Sequence, residues 1–440
     1  MTPTGAPTGA SIFRSLRYRN YRLFFGGQSI SLIGTWMQHI AMSWLVYHLT
    51  NSVFLLGVVA FCAQIPAFVL SPFTGVLADR WNRRGILIVT QTISMVQAFL
   101  LAVLTLAGVI QVWQVIVLGM LLGCVNSLDI PARQSFIMDM VEKREVLGNA
   151  IALNSFMFNF ARLVGPSLAG IIIAYSGEGT CFLLNGVSFL CVIGSLLAME
   201  IAVRRHGARD SRLLHDLREG LAYTFGFTPI RSILLLLSVS SLMGMSYVVL
   251  MPVFARDILH GGPQTLGFLM AAAGVGALLA TVYLASRKDV LRLGKMLPVS
   301  TALFAAGLIA FSLSRVLWLS LSLLFVAGFG MMVQMALSNT VLQVIVDDDK
   351  RGRVMSFYTM SFMGMAPLGS LLAGYLASRI GAPHTLMIGG LACALAALVF
   401  ALRIEELQRM LHPVYRRMGI IPEVASGIQA AVELTAPPED

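Results

Sequence analysis

One arginine interrupts an apolar stretch that is otherwise long enough to cross a membrane. Arg162 follows Ser155 and Asn159 at spacings that put all three side chains on one face of a helix. Counted from Ile151 at the rise of an α-helix, Arg162 would lie roughly 16 Å deep. An arginine at that depth costs about 2.5 to 3.5 kcal/mol, so it should face a cavity or a partner. The pattern favours an anchor for an anionic or strongly polar ligand group. The alternative is an arginine held by backbone carbonyls or by Asn and Gln side chains.

Uncharged polar side chains interrupt other apolar stretches and could line the same cavity. The candidates are Thr35, Gln38, Gln64 and Gln334. Any one of them could instead form an interhelical hydrogen bond worth about 1 kcal/mol. His39 lies deep in its stretch and is the candidate proton carrier, although a neutral, packed histidine is equally compatible with the sequence. No carboxylate falls near the middle of a predicted span.

A short loop between two apolar stretches carries the most specific pattern in the chain. Gly75 and Asp79 are followed by Arg80, Arg83 and Arg84. Glycine allows a neighbouring helix to approach, and an aspartate at the membrane edge can pair with arginines or face a helix N-terminus. This arrangement predicts a gating latch that holds two helices together in one state and releases them in another. The alternative is an ordinary basic loop with a capping aspartate.

The composition excludes several classes of protein. Of the 440 residues, 57% are hydrophobic and only 12% are charged, whereas soluble domains carry roughly 25% charged residues. The net charge of +10 is spread over many short loops, so no nucleic-acid partner is expected. The five cysteines are odd in number and lie in apolar stretches, which implies no disulfide framework. No nucleotide-binding loop, metalloprotease motif or serine-nucleophile motif occurs, so we expect no enzyme activity, catalytic residue, cofactor or metal.

Twelve apolar runs predict an all-α membrane protein with twelve transmembrane helices. The first six runs are Leu23 to Tyr47, Phe54 to Leu77, Ile86 to Leu106, Val112 to Leu128, Asn149 to Tyr175 and Cys181 to Ile201. The second six are Ile230 to Phe254, Leu266 to Ser286, Met296 to Ser314, Leu317 to Leu342, Val354 to Ser378 and Leu386 to Leu402.

Five segments follow from these runs. They are a cytoplasmic arm at 1–20, an N-terminal six-helix bundle at 21–203, a central cytoplasmic loop at 204–228, a C-terminal six-helix bundle at 229–402 and a cytoplasmic tail at 403–440. Similar local patterns recur at an offset of roughly 200 residues, which predicts two pseudo-symmetric halves. Lys and Arg concentrate in alternate loops, and positive loops stay inside, so both termini are predicted to be cytoplasmic.

The loop from Gly75 to Arg84 resembles the loop signature of the major facilitator superfamily, with Asn82 where that pattern usually has glycine. Gly165, Pro166 and Gly170 resemble a shortened form of the fifth-helix kink of antiporters in that superfamily. Three stretches resemble the bacterial branch that contains enterobactin exporters and macrolide efflux proteins. They are Gly34 to Gln38, Pro131 to Phe136 and Asn154 to Pro166.

The resemblance implies the major facilitator fold in a bacterial inner membrane, acting as a monomer among lipids. It implies proton-driven export of a small organic molecule, such as a siderophore, a drug or another secondary metabolite, by alternating access. Import of a small metabolite, or flipping of a lysolipid, on the same fold is the alternative. In the resemblance Asp79 engages the start of the eleventh helix, and Arg83 or Arg84 meets the acid that ends the fourth helix, expected to be Asp129.

Overall fold

The computed structural model describes residues 14–141, 144–200, 223–285, 290–347 and 350–417. Within these ranges the chain forms a short 3₁₀ turn at Arg14–Arg17 and long helices, without a β-strand. The helices are α1 Arg19–Thr50, α2 Val53–Arg80, α3 Arg83–Leu106, α4 Val112–Met140, α5 Arg144–Ser176, α6 Glu178–Leu197, α7 Thr228–Ile258, α8 Pro263–Ala285, α9 Val290–Leu313, α10 Leu317–Ile345, α11 Arg351–Ile380, α12 Ala382–Leu402 and α13 Ile404–Arg417.

Eleven helices of the described chain, α2 to α12, are long and apolar enough to cross a membrane. The remaining predicted span is α1, which has 32 residues but carries Gln28, Gln38 and His39 within its length. These polar side chains lower its mean hydropathy. Since α1 is packed along α5 and α6, it belongs to the same bundle as its more apolar neighbours.

The fourth helix is longer than the sequence indicates. It was expected to end at Leu128, but α4 continues through Pro131 to Met140. Proline has no N–H to donate to the carbonyl of Ser127, four residues earlier. The hydroxyl of Thr74 on α2 donates to that carbonyl instead, at 2.7 Å. The helix therefore continues past its proline because a neighbouring helix satisfies the acceptor.

Helices α1 to α6 pack as one bundle and α7 to α12 as the other. The bundles meet mainly where α2 packs on α11 and where α5 packs on α8, which are equivalent pairs in the two halves. Glycines allow both contacts. A Cβ atom added at Gly170 would lie 2.6 Å from the carbonyl oxygen of Pro263, and one added at Gly57 would lie 2.9 Å from the Cα atom of Gly374. No larger residue fits these positions without moving a helix.

The outside of the bundles is apolar. On α3 the exposed side chains Val89, Ile93, Val96, Leu100 and Val103 follow one another at intervals of three and four residues. This spacing forms a continuous stripe on one face of the helix. An exposed apolar stripe of this length is expected on a helix that faces lipid tails.

The C-terminal bundle contains helical irregularities that α1 to α6 lack over their described residues. π-Helical turns occur in α7 at Ser240–Gly244 and Phe254–Ile258, and in α11 at Met360–Gly364. The first and last of these pack together, and the Ser241 hydroxyl donates to the carbonyl of Phe362.

The domain limits inferred from sequence stay a prediction. Most of the expected central loop at 204–228, the arm up to residue 13 and the tail from residue 418 lie outside the described residues. The described start of the tail is helix α13, whose Leu407 and Leu411 are buried against the C-terminal bundle.

Candidate functional site

Arg162 lies near the middle of α5 and faces residues of two other helices. Its guanidinium carbon is 5.8 Å from the ring centre of Trp36 on α1, a distance suited to a cation–π contact. It is also close enough to the hydroxyl of Tyr247 on α7 for an electrostatic interaction. Because α7 belongs to the other bundle, Arg162 lies where the two halves of the protein face each other. Its side chain is half-buried.

Aromatic rings surround this arginine. The ring of Trp36 packs edge-on against Phe158 with centres 5.8 Å apart, and lies 6.0 Å from the ring of His39. His39, Phe158 and Ser155 are exposed, although they lie within membrane-length helices. The site therefore combines one positive charge with aromatic surface that a bound molecule could reach. Such a combination suits an organic molecule with an anionic group.

Glycines after Arg162 allow α5 to lie close to its neighbours. Pro166 has no N–H for the carbonyl of Arg162, four residues earlier. A Cβ atom added at Gly165 would lie 2.5 Å from the Cβ atom of Trp36, so glycine permits α1 to approach at this point. Gly170 provides the contact with α8 described above. Of the three residues expected to form a kink, Gly165 thus faces α1 of its own bundle and Gly170 faces α8 of the other bundle.

The structure brings only part of the predicted binding set together. Asn159 shares a helix face with Arg162 and Ser155, but it is buried and donates to the carbonyl of Ser155 at 2.9 Å. Gln64 is exposed on α2 and donates to the carbonyl of Ala60 at 3.2 Å.

Three other predicted residues lie inside the bundles. Gln38 donates to Gln97 at 3.0 Å and accepts from Asn185 at 2.8 Å, so it belongs to a polar network within the N-terminal bundle. Thr35 donates to a carbonyl of its own helix and lines a cavity beside that network. Gln334 is fully buried in the C-terminal bundle and donates to the Ser240 hydroxyl at 2.8 Å.

The basic loop between α2 and α3 has a different ion pair from the one expected. Arg83 pairs with Asp139 at 2.9 Å, and the Arg84 side chain donates to the carbonyls of Leu196 and Leu197 at 2.8 and 3.0 Å. The prediction that one of these arginines pairs with Asp129 is wrong. Because α4 continues to Met140, its terminal acid is Asp139.

Asn82, which stands where the usual pattern has glycine, caps a helix. It is the N-cap of α3, and its side chain accepts from the backbone N–H groups of Arg84 and Gly85 at 3.1 and 3.5 Å. The side chains of Asp79 and Arg80, and the surroundings of Gly75, lie outside the described residues, so their part of the latch stays a prediction.

A second set of contacts ties the bundles together at the opposite end of the molecule. The Tyr47 hydroxyl of α1 donates to the Asp257 carboxylate of α7. Arg256 donates to the Asn51 side chain at 2.7 Å, and its guanidinium carbon is 5.7 Å from the ring centre of Tyr47. We call these four residues the α1–α7 tie. These four residues were not predicted from the sequence, although the adjacent opposite charges of Arg256 and Asp257 at an outer helix end were a visible signal.

Comparison with known proteins identifies the family. A family model described as "Transmembrane secretion effector", within the major facilitator superfamily, matches residues 10–416. The chain belongs to this family. It is 26% identical over 380 residues to the staphyloferrin A transporter of Staphylococcus aureus, covering 86% of this chain and 95% of that protein. It is 23% identical over 412 residues to macrolide efflux protein A of Streptococcus pyogenes, covering 90% and 99% of the two chains.

A third relative is the multidrug efflux pump Tap of Mycolicibacterium fortuitum, 27% identical over 390 residues that cover 85% of this chain and 93% of that protein. Among solved structures, an inward-facing, unoccupied bacterial homologue of the human lysosomal transporter Spinster matches with a TM-score of 0.65 at 13% identity. The match covers 89% of this chain and 98% of that one. This likeness shows the fold.

Membership of this family and the match to the solved structure confirm the major facilitator fold predicted from the sequence. The protein is a multi-pass transporter of the bacterial membrane that acts on a small molecule, and it is not an enzyme.

Proposed function

We propose that this protein exports a small organic molecule by alternating access, coupled to proton movement, with Arg162 as the anchor for an anionic group of the substrate. The observation that carries the proposal is the position of Arg162 on α5, beside Trp36 of its own bundle and Tyr247 of the other. A ligand bound there touches both bundles, so it can respond to and influence their relative motion.

Export is supported by two relatives that are efflux proteins, one for macrolides and one for multiple drugs, and a third relative is a transporter of staphyloferrin A. These molecules differ widely. What Arg162 and its neighbours add is a preference for a molecule that carries an anionic or strongly polar group next to an apolar or aromatic part. The alternative in which Arg162 is only structural, held by Trp36 and Tyr247, predicts no such preference.

The distribution of charges supports an orientation with both termini in the cytoplasm. In that orientation the loop with Arg83 and Arg84 is cytoplasmic, and the α1–α7 tie lies at the outer face. In this state the tie holds the outer ends of the bundles together. The exposed residues around Arg162 then bind a substrate that arrives from the cytoplasm. The pair Arg83–Asp139 joins α3 to α4 on the cytoplasmic side in this structure, and the proposed latch closes that side in the other state through Asp79 and the start of α11.

The proposal is tested in two steps. Untargeted metabolite analysis of the medium, with and without the protein, identifies exported compounds, and inverted membrane vesicles then show whether those compounds accumulate inside. Accumulation in inverted vesicles supports export. Uptake into intact cells instead would support the importer, and redistribution of a lysolipid between leaflets would support the flippase.

Arg162→Gln and Arg162→Ala test the site. Loss of a charge-assisted contact is worth about 1.5 to 3 kcal/mol, so affinity for the exported compound should fall roughly tenfold to hundredfold. Arg379→Gln is the matched control, because Arg379 is exposed on α11 and contacts Tyr375 of the same helix. Normal affinity in both Arg162 variants would refute the anchor.

A further inference from the structure

A small polar cavity lies inside the N-terminal bundle, away from Arg162. Its volume is about 40 Å³, and its walls come from α1, α3, α4 and α6. Among the lining residues the charged ones are Asp129 and Arg133, both on α4; the other three helices contribute uncharged side chains. A cavity of this size holds a few water molecules and is too small for an organic substrate.

Asp129 is the carboxylate of this cavity, and it is only 1% exposed. One of its oxygens accepts hydrogen bonds from the Thr90 hydroxyl and from the Gln91 amide nitrogen, both at 2.8 Å. The other oxygen accepts from Arg133, four residues further along α4. With α4 ending at Met140, Asp129 lies roughly 16 Å from that end of the helix. It is therefore a buried carboxylate within a span, whereas the sequence predicted no carboxylate near the middle of a span.

The second observation is an oxygen on Gln91 that is unpaired among the described residues. Its side chain is buried and lines the cavity, yet its amide oxygen has no hydrogen-bond partner in the described structure. A buried acceptor without a donor costs about 1 to 3 kcal/mol. A donor that reaches this oxygen removes that cost.

Protonation of Asp129 supplies that donor. An ionised carboxylate accepts from the Gln91 amide nitrogen, whereas a protonated one presents an O–H group. A half-turn of the Gln91 amide then puts its free oxygen towards the O–H group, so Gln91 can bond to both forms of Asp129. The neutral acid no longer attracts Arg133 as an ion pair, and Arg133 is released.

We propose that Asp129 carries the proton that drives transport, and that Gln91 and Arg133 respond to its protonation. The inference rests on the proposed export function and names its coupling site. A proton enters through the cavity, one O–H bond forms on Asp129 and the ion pair with Arg133 breaks; release of the proton reverses both changes. A metal cation fits less well, because three donors already occupy the carboxylate. His39 is exposed beside Trp36 instead, and it does not line this cavity.

The test is infrared difference spectroscopy of the purified full-length protein in lipid bilayers, titrated from neutral to acidic pH. A protonated-carboxyl band should grow as the pH falls and should be missing from Asp129→Asn. Asp139→Asn is the matched control, since it removes a carboxylate of the same helix outside the cavity, and this band should persist. A spectrum of Asp129→Asn identical to that of the wild type would overturn the proposal.

Two further variants keep the test decisive if Asp129→Asn fails to fold. Gln91→Leu removes the acceptor of the O–H group, so the band should shift in frequency. Arg133→Gln removes the counter-ion, so the band should already be present at neutral pH. An unshifted band in the first variant and an unchanged titration in the second would overturn the proposal. Suppression of the band by sodium at fixed pH would also overturn it, in favour of a sodium site.

The outcome is separable from that of the export proposal. The spectroscopic measurement needs no substrate. If the band belongs to Asp129 but inverted vesicles accumulate nothing, export fails and the proton site stands. If vesicles of Asp129→Asn accumulate substrate with unchanged dependence on the proton gradient, the coupling site fails and export stands.

Discussion

Loosening the α1–α7 tie should open the outer end of the protein. Tyr47→Phe removes the hydroxyl that donates to Asp257 and leaves the ring against Arg256 in place. A hydrogen bond to a charged group is worth about 1.5 to 3 kcal/mol. Because Asp257 is exposed, water replaces part of the lost hydrogen bond. The outer-closed state should therefore be destabilised by about 1 to 1.5 kcal/mol. The ratio of outer-closed to outer-open molecules should therefore fall by roughly fivefold to tenfold.

The shift can be measured as a distance distribution between two spin labels on the outer side, one on each bundle. Gln111→Cys and Trp318→Cys provide exposed positions, after the natural cysteines have been replaced. Tyr47→Phe should increase the population with the longer distance, and Asp257→Asn should do so as well. Tyr375→Phe is the control, because Tyr375 is exposed and contacts Arg379 of its own helix. Unchanged distributions in both tie variants would refute the idea that this contact holds the outer ends together.

Three further predictions concern contacts that position the site. Gly170→Val places side-chain atoms against the carbonyl of Pro263, so it should separate α5 from α8 and lower the thermal unfolding temperature. Asn82→Ala should cost about 1 kcal/mol of stability by removing the N-cap of α3, whereas Asn82→Gly should cost only a few tenths; equal losses in chemical denaturation would contradict the capping role. Thr74→Val removes the hydroxyl that donates to the Ser127 carbonyl next to Pro131. The free energy of unfolding should fall by about 1 to 3 kcal/mol in the same denaturation assay.

Hydropathy and local spacing predicted the helices and the fold because both depend on residues close together in the chain. The end of α4 was predicted wrongly for the same reason. Pro131 is a stop signal by local rules, and the donor that offsets it, Thr74, lies on another helix. That one error placed Asp129 at the membrane edge, whereas the structure has it in the interior of the bundle.

The candidate site was harder to predict, since a polar residue in a span can serve a ligand or another helix. Arg162, with no acidic neighbour in its stretch, could be selected from sequence. Gln38 and Gln334 could not be distinguished from ligand contacts, because their partners Gln97 and Ser240 lie 59 and 94 residues away. The pairing of Tyr47 with Asp257, 210 residues apart, is beyond the reach of any local pattern.

The glycine contacts between the bundles have a kinetic consequence. Where α5 meets α8 and α2 meets α11, backbone lies against backbone at Gly170 and Gly57. Surfaces joined by interlocked side chains can move past each other only if rotamers rearrange, and each rearrangement adds to the activation energy. Helices that touch through bare backbone need no such rearrangement. The interface can thus change its angle at a low barrier, and a larger residue at Gly57 or Gly170 would slow each transport cycle even where both end states still form.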